Sequence, residues 1–273
     1  MIQDIYPHKL DNHYYPDRKA NDDSTVLVIR ENDVLAVDNR FPLRRELGIE
    51  EELTYLFSLD EEQHCFLLDV TGREYQIPEG FEFINIRTFR RSQSVAKHNV
   101  FLAYTAMQLA RWYRDNTFCG RCGKKTYLDD KERAIRCECG NIIYPRIVPA
   151  VIVGITNGDK ILVTQYRTGY AHYALVAGFT EIGETLEQTV AREAMEETGL
   201  KVKNIRYYKS QPWGVVDDIL VGFYCDVDGD DTIRMDEGEL KIAEWRARED
   251  IELQPDDFSL TNEMMKMFKE GRN

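Results

Sequence analysis

Residues 178–200, GFTEIGETLEQTVAREAMEETGL, constrain this chain more than any other stretch. The spacing is Gly178, five residues, Glu184, seven residues, then Arg192-Glu193-Ala194-Met195-Glu196-Glu197-Thr198-Gly199-Leu200. Thr185-x-x-Gln188 has the form of a capping box at a helix start. Gly199 is placed to end the helix in the left-handed conformation. Between them, a turn of about 100° per residue puts Glu193, Glu196 and Glu197 within an arc of roughly 100°. Three carboxylates so close repel one another. Hard divalent cations such as Mg²⁺ or Mn²⁺ would remove that repulsion, because they prefer oxygen ligands. Leu186, Val190 and Ala194 form an apolar strip that can dock the helix on a sheet. Gly178 and Gly183 are expected to let the preceding loop bend tightly. A solvated acidic face would account for any one glutamate, but not for the complete pattern.

With 273 residues, the chain has room for one large domain or two to three small ones, and for a sizeable core. No stretch approaches the ~20 apolar residues of a transmembrane helix. The N-terminus, MIQDIYPHKLDNHYY, lacks the basic and apolar regions of a signal peptide, so a cytoplasmic location is expected. The formal net charge of −13 disfavours a general nucleic-acid-binding surface. It leaves room for a small anionic substrate held by metal ions and a few local bases. Arg87, Arg90 and Arg91 form the compact basic cluster, expected in a solvated turn.

Four of the six cysteines make a second motif. Cys119-x2-Cys122 lies on a Cys-Gly-x-Cys-Gly turn, and Cys137-x-Cys139 follows with Gly140 behind it. Two knuckles joined by a short strand-like stretch imply a zinc ribbon, with four thiolates around a tetrahedral Zn²⁺ and no open position. A closed site of that kind is structural. The second pair is C-x-C where ribbons usually have C-x2-C. Cys65 and Cys225, in HCFLLDV and VGFYCDV, are expected to be buried core thiols.

The chain divides around these motifs. Residues 1–93 are expected to form an N-terminal α+β domain. In it, STVLVIR and DVLAV make a hairpin about Glu31-Asn32, CFLLDV and EYQI are further strands, and residues 43–57 are a helix candidate. Residues 94–115 are expected to form one long connecting helix, apolar over much of its circumference. The ribbon takes residues 116–143. Residues 144–273 are the catalytic unit, with strands IVPAVIVGIT, ILVTQY and ALVAGF, the acidic helix, KVKNIRYYKSQPW, ILVGFYCDV, a strand near EWRA and a C-terminal helix SLTNEMMKMFKEG. That alternation predicts an α/β class, an α/β/α sandwich. No internal repeat is visible.

The 178–200 pattern is that of the Nudix box. Together with FCGRCG, Tyr144-Pro145 and Ser210-Gln211-Pro212-Trp213, it makes the chain resemble the NADH pyrophosphatase (NAD diphosphatase) family of Nudix hydrolases. The resemblance covers about residues 80–273 well, and residues 1–80 only in general layout. It implies divalent-metal-dependent hydrolysis of the diphosphate of NADH or NAD to AMP and nicotinamide mononucleotide. For some members it also implies removal of the NAD cap from RNA 5′ ends. It further implies a homodimer, to which the long apolar helix could contribute.

Carried over by matching position, Glu193, Glu196 and Glu197 would ligate Mg²⁺ or Mn²⁺. Glu239 would help hold metal or activate water, and Glu193 and Glu239 are the candidates for general base. Phe179 and Tyr144 match aromatics that sandwich a ring of the substrate, and Ile152 an apolar residue near it. Gln211 and Trp213 belong to the motif before the specificity loop. Glu184 is expected to be structural, and Arg192 to orient a glutamate. Without the resemblance, Phe179 and Ile152 would be core residues and Glu239 a solvated carboxylate.

The family motif continues S-Q-P-W-P-F-P-x-S, whereas residues 214–218 here are Gly-Val-Val-Asp-Asp. A more flexible, smaller loop is expected, with Asp217 and Asp218 adding negative charge. Two alternatives stay open. One is a Nudix pyrophosphatase for ADP-ribose, FAD or a dinucleoside polyphosphate. The other is a non-enzymatic zinc-ribbon binding module.

Overall fold

The computed structural model describes residues 1–169 and 171–273, which form two compact units. One comprises residues 3–146 and 214–217, the other residues 1–2, 147–213 and 218–273. The units thus exchange two short pieces that a linear division of the chain does not anticipate. None of the described helices is long and apolar enough to cross a membrane.

The first unit holds strands β1 (Leu10–Asp11), β2 (Thr25–Arg30), β3 (Asp33–Ala36), β4 (Thr54–Leu59), β5 (Gln63–Asp69) and β6 (Glu82–Asn85). Its helices are α1 (Arg44–Leu47), α2 (Ile86–Arg91) and α3 (Lys97–Asp115). The six strands make one sheet in the order β1-β4-β5-β2-β3-β6. Val26, Val28, Leu35, Leu68 and Val70 form a core cluster on it, and α3 packs against β2 and β5. The helix expected at 43–57 is one turn long. Gly48 stops it in the left-handed region (φ 60°), and β4 takes the end of the expected span from Thr54. EYQI is not a strand; the edge strand forms later, as β6. Arg87, Arg90 and Arg91 sit in α2 rather than in a turn, and Asn85 caps that helix by accepting the Arg87 N–H.

The ribbon in the same unit is a three-stranded sheet of β7 (Tyr127–Leu128), β8 (Ile135–Arg136) and β9 (Ile142–Ile143).

The second unit contains β10 (Val148–Asn157), β11 (Lys160–Tyr166), β12 (Val176–Phe179), α4 (Leu186–Thr198), β13 (Val202–Trp213), β14 (Asp218–Val227), β15 (Leu240–Ala247) and α5 (Leu260–Lys269). The sheet order is β13-β14-β10-β11-β15, with β12 paired to β10. β10 and β14 run parallel in unbroken register from Val148↔Asp218 to Thr156↔Asp226. Val151, Val153, Leu162 and Phe223 meet Val190 and Ala194 of α4. Ile152, Ile161, Val163 and Tyr224 meet Leu260, Met264, Met265 and Phe268 of α5. A sheet with a helix on either side is an α/β/α sandwich, because residues alternating along each strand supply apolar side chains to both faces.

The two units repeat one topology. In the first, β4 is antiparallel to β5, β5 parallel to β2, β2 antiparallel to β3 and β3 antiparallel to β6. In the second, β13, β14, β10, β11 and β15 follow one another with the same directions. In each, a helix that follows the last of these strands, α3 in the first unit and α5 in the second, packs on the central parallel pair. The expectation of no internal repeat is therefore corrected at the level of topology. The acidic helix has no counterpart of similar length: residues 37–53 hold only the one-turn α1 at the equivalent place.

Candidate active site

Helix α4 begins as its sequence requires. The Thr185 hydroxyl accepts the Gln188 N–H (3.2 Å), and Gln188 Oε1 accepts the Thr185 N–H (2.8 Å). Gly199 closes the helix at φ 72° and donates its N–H to the Met195 carbonyl. Gly183 in the preceding loop has φ 96°, which favours glycine. Gly178 has a different role from the one expected. It lies inside β12, opposite Val151, and its lack of a side chain leaves the space that the Glu193 carboxylate fills.

Arg192 organises the acidic side chains. Its Nε and Nη2 donate to the two carboxylate oxygens of Glu184 (2.7 and 2.9 Å). Nη1 donates to Glu193 Oε1 (2.7 Å) and Glu196 Oε2 (2.9 Å), and Nη2 also donates to the Phe179 carbonyl (2.9 Å). One guanidinium therefore links the loop, the end of β12 and two glutamates, a use of its planar fork that lysine cannot copy. The Arg192 contact holds the Glu184 carboxyl at about 2, assisted by the Glu181 N–H and the Thr189 hydroxyl. This agrees with a structural role for Glu184.

The three box glutamates occupy different environments. Glu196 is open to solvent, Glu193 is mostly covered, and Glu197 is buried at 3% exposure. Burial pushes the Glu197 carboxyl up to about 8; the Ala177 backbone opposes this, and the charges of Glu193 and Glu239 add to it. Burial also raises Glu193, against the lowering effect of Arg192. Glu239, just before β15, thus acts electrostatically on both. Its backbone carbonyl accepts the Arg167 N–H (3.0 Å). Tyr166 on β11, which the sequence did not single out, places its hydroxyl 3.5 Å from Glu197 Oε1.

Glu197 Oε2 is buried without a hydrogen-bond partner. A buried, unpaired carboxylate oxygen under the charges of Glu193 and Glu239 has the donor chemistry for a divalent cation, although these carboxylate oxygens do not draw together within 4.8 Å as the cysteine sulfurs do. Glu193, Glu197 and Glu239 would hold it, with Glu196 at the exposed edge.

The cysteines converge closely. Cys119, Cys122, Cys137 and Cys139 bring their sulfurs within 4.8 Å of one another, the only such set of three or more ligand atoms among the described residues. Cys119 and Cys139 sulfurs are 3.7 Å apart, and those of Cys122 and Cys137 are 3.5 Å apart. Tetrahedral Zn–S bonds of about 2.3 Å place sulfurs about 3.8 Å apart, whereas a disulfide needs about 2.0 Å. The shortened C-x-C knuckle still closes: Gly140, at φ 84°, donates its N–H to the Cys137 carbonyl. Cys65 and Cys225 are buried in the strand cores, as expected.

Three family models match consecutive parts of the chain. A NUDIX domain matches residues 145–267, an NADH pyrophosphatase zinc ribbon domain residues 114–144, and an NADH pyrophosphatase-like rudimentary NUDIX domain residues 21–112. The NAD-capped RNA hydrolase NudC of Vibrio atlanticus (strain LGP32) is 33% identical over 235 residues, which cover 84% of each chain. The chain belongs to the NADH pyrophosphatase family of Nudix hydrolases. Proteins of the same name from Enterobacter sp. (strain 638) and Escherichia coli (strain K12 / DH10B) are 44% and 43% identical over shorter stretches. Each of those stretches covers 56% of this chain and 60% of the relative.

The remaining residues that the Nudix family resemblance singles out fall into distinct settings. Phe179, at the end of β12, is 53% exposed and so is not a core residue. Ile152 is buried among Leu175, Tyr224 and the α5 side chains. Gln211 is fully buried. Its Nε2 donates to the Phe258 carbonyl and its Oε1 accepts the Leu260 N–H, both at 2.7 Å, so its amide anchors the start of α5. Trp213 ends β13 opposite Asp218. In the other unit, Tyr144 follows β9 with its ring 56% exposed and its hydroxyl donating to Glu132 Oε1 (2.9 Å).

The loop at 214–217 differs from its expectation. It is not a free, negatively charged flap but part of the first unit. Asp217, 5% exposed, accepts from Arg111 (2.5 Å) and Arg146 (2.7 Å), and Arg111 also donates to the Gly214 carbonyl (2.6 Å). Two guanidinium groups thus compensate the charge of Asp217, one of the two carboxylates the sequence places there.

Proposed function

We propose that this chain hydrolyses the diphosphate of NADH or NAD to AMP and nicotinamide mononucleotide, and acts on NAD-capped RNA 5′ ends. The observation that carries the reading is the acidic cluster. Glu193 lies over Gly178, Glu197 is buried with one oxygen unpaired, and Glu239 stands within electrostatic reach of both. The names of the relatives, NAD-capped RNA hydrolase, support the substrate.

Bound Mg²⁺ or Mn²⁺ would neutralise diphosphate oxygens and lower the pKa of a water molecule. The protein's own part is to hold the carboxylates in place and accept the proton. Of the two candidates for the base, Glu193 is the one held by Arg192 and raised by burial. Burial raises its carboxyl, so its ionised form is a stronger proton acceptor than an ordinary glutamate. Arg192 fixes its orientation and that of Glu196. Phe179 in one unit and Tyr144 in the other each expose a ring of the kind on which a substrate ring stacks, and Ile152 is a buried core residue of the Phe179 unit. A structural Zn²⁺ in the ribbon, a cytoplasmic location and a homodimer belong to the same proposal.

Turnover of NADH, NAD, ADP-ribose and FAD measured side by side with Mg²⁺ or Mn²⁺ tests it. NADH or NAD should rank first, and NADH ranking last defeats the proposal. Cleavage of another nucleoside diphosphate is the second reading, favoured by Gly214 to Asp218 standing where the family has Pro-Phe-Pro-x-Ser. Non-enzymatic binding through the ribbon predicts that Glu196→Gln leaves function intact.

A further inference from the structure

We propose that Arg146 and Asp217 are positioning residues for Tyr144, setting how well the enzyme holds a substrate ring. This rests on the reading of Tyr144 as a ring-contacting residue.

The segment Tyr144-Pro145-Arg146 is tied down from both sides. Arg146 Nη2 donates to Asp217 Oδ2 (2.7 Å), and its carbonyl accepts from Gln108 Nε2 (3.1 Å). Asp217 is itself immobilised by Arg111 of α3, through its other oxygen. Ahead of this, the Tyr144 hydroxyl donates to Glu132, which Arg136 also contacts (3.3 Å). Pro145 between the two anchors fixes its own φ and restricts the residue before it. The Tyr144 ring is therefore exposed yet held at hydroxyl and backbone. A ring held in advance loses less conformational freedom when a second ring stacks on it.

Two features show that the loop is built for this and does not simply end there. Asp217 turns the chain at φ 67°, a left-handed conformation that aspartate tolerates better than most residues, and so faces its carboxylate to both Arg111 and Arg146. Tyr144, Arg146 and Asp217 also line one cavity of about 230 Å³, together with Gln108 and Trp112. Asp217 stands at the variable position that follows the family's Pro-Phe-Pro, and its carboxylate reaches the Tyr144 segment.

The test is a double-mutant cycle on kcat and KM for NADH and ADP-ribose, with Arg146→Gln, Asp217→Asn and Tyr144→Ala, singly and in pairs with Tyr144→Ala. The Arg146 side chain is 66% exposed, and in Arg146→Gln Asp217 keeps Arg111, so that variant folds. Arg146→Gln should raise KM about three- to tenfold for each substrate whose KM Tyr144→Ala raises, with kcat unchanged. In the Tyr144→Ala background, neither Arg146→Gln nor Asp217→Asn should raise KM further. Wild-type KM in Arg146→Gln alongside a raised KM in Tyr144→Ala overturns the positioning role, as do additive effects in the cycle. If Tyr144→Ala changes no KM, the ring reading itself fails and this inference with it.

Discussion

The carboxylate of Glu193 occupies the space where a side chain at Gly178 would begin. A Cβ built on Gly178 would collide with the Cδ and both oxygens of Glu193. Gly178 lies in β12 with an ordinary backbone, so its conformational freedom is not the reason for glycine. Gly178→Ala should expel the carboxylate while leaving the fold, at a cost of about 1–3 kcal/mol for overpacking. Displacing a catalytic group by about 1 Å can cost about a hundredfold in rate. A kcat reduced on that scale, in a protein that still unfolds cooperatively in urea, is the expected result. Wild-type kcat would disprove it.

Arg192 makes five hydrogen bonds, to Glu184, Glu193, Glu196 and the Phe179 carbonyl. Lysine keeps the charge but cannot span these acceptors. Arg192→Lys should lower activity or metal affinity about 10–100-fold, as is usual for residues that orient ligands. Mn²⁺ titration by calorimetry and initial rates would show it, and unchanged values for both would refute it.

Glu197 makes stability depend on pH in an unusual direction. Burial puts its folded carboxyl at about 8, above the ordinary 4.5. Between those values the folded state binds more protons than the unfolded state, so stability falls as pH rises through that window. The penalty is complete above the folded value. In EDTA, Glu197→Gln should therefore raise the Tm at pH 9 by a few °C (~3–5 °C) relative to wild type, and make little difference at pH 4.5. Mg²⁺ should raise the wild-type Tm by mass action and the variant's far less. Activity should be lost in the variant. A Tm difference that does not change with pH would sink this account.

The acidic helix, its cap and its stop were legible because they depend on neighbours a few residues apart: Thr185 with Gln188, Gly199 with Met195. The four cysteines were legible because metal-ligand spacing is local. Gly178 was assigned to a loop because its partner, Glu193, comes from a helix fifteen positions on and meets it only after β12 pairs with β10. Tyr166 carried no signal at all, since β11 brings it to Glu197 through sheet pairing. Arg111 and Asp217 are 106 residues apart, and nothing local marks them as a pair. The duplicated topology was hidden for a related reason. Strand order and direction persist while residues 37–53 lack the box, so no motif recurs in the sequence.

The ribbon should carry one zinc per chain. Its sulfurs lie at the separations a tetrahedral ion requires, and the Arg121 backbone N–H lowers the Cys119 thiol, easing its deprotonation. Cys137→Ser should abolish stoichiometric zinc by elemental analysis and lower the Tm, because binding and folding are coupled at such sites. Full zinc occupancy in Cys137→Ser would contradict the four-cysteine assignment.

Gly214 tests why the specificity loop departs from the family pattern. A Cβ there would lie 2.6 Å from the Tyr104 carbonyl oxygen and 3.0 Å from its carbon, both backbone atoms of α3 that cannot swing aside. The close approach lets Arg111 reach the Gly214 carbonyl and Asp217 together. Restoring the family's residue with Gly214→Pro, or adding one methyl with Gly214→Ala, should therefore destabilise the protein by about 1–3 kcal/mol. Urea denaturation measures this directly. Because Asp217 would shift with the loop, KM for NADH should also rise in Gly214→Ala while the Mn²⁺ affinity of the acidic cluster stays at its wild-type value. If Gly214→Pro instead stabilises the protein, the loop is not held against α3 as described, and the glycine marks only the loss of two prolines.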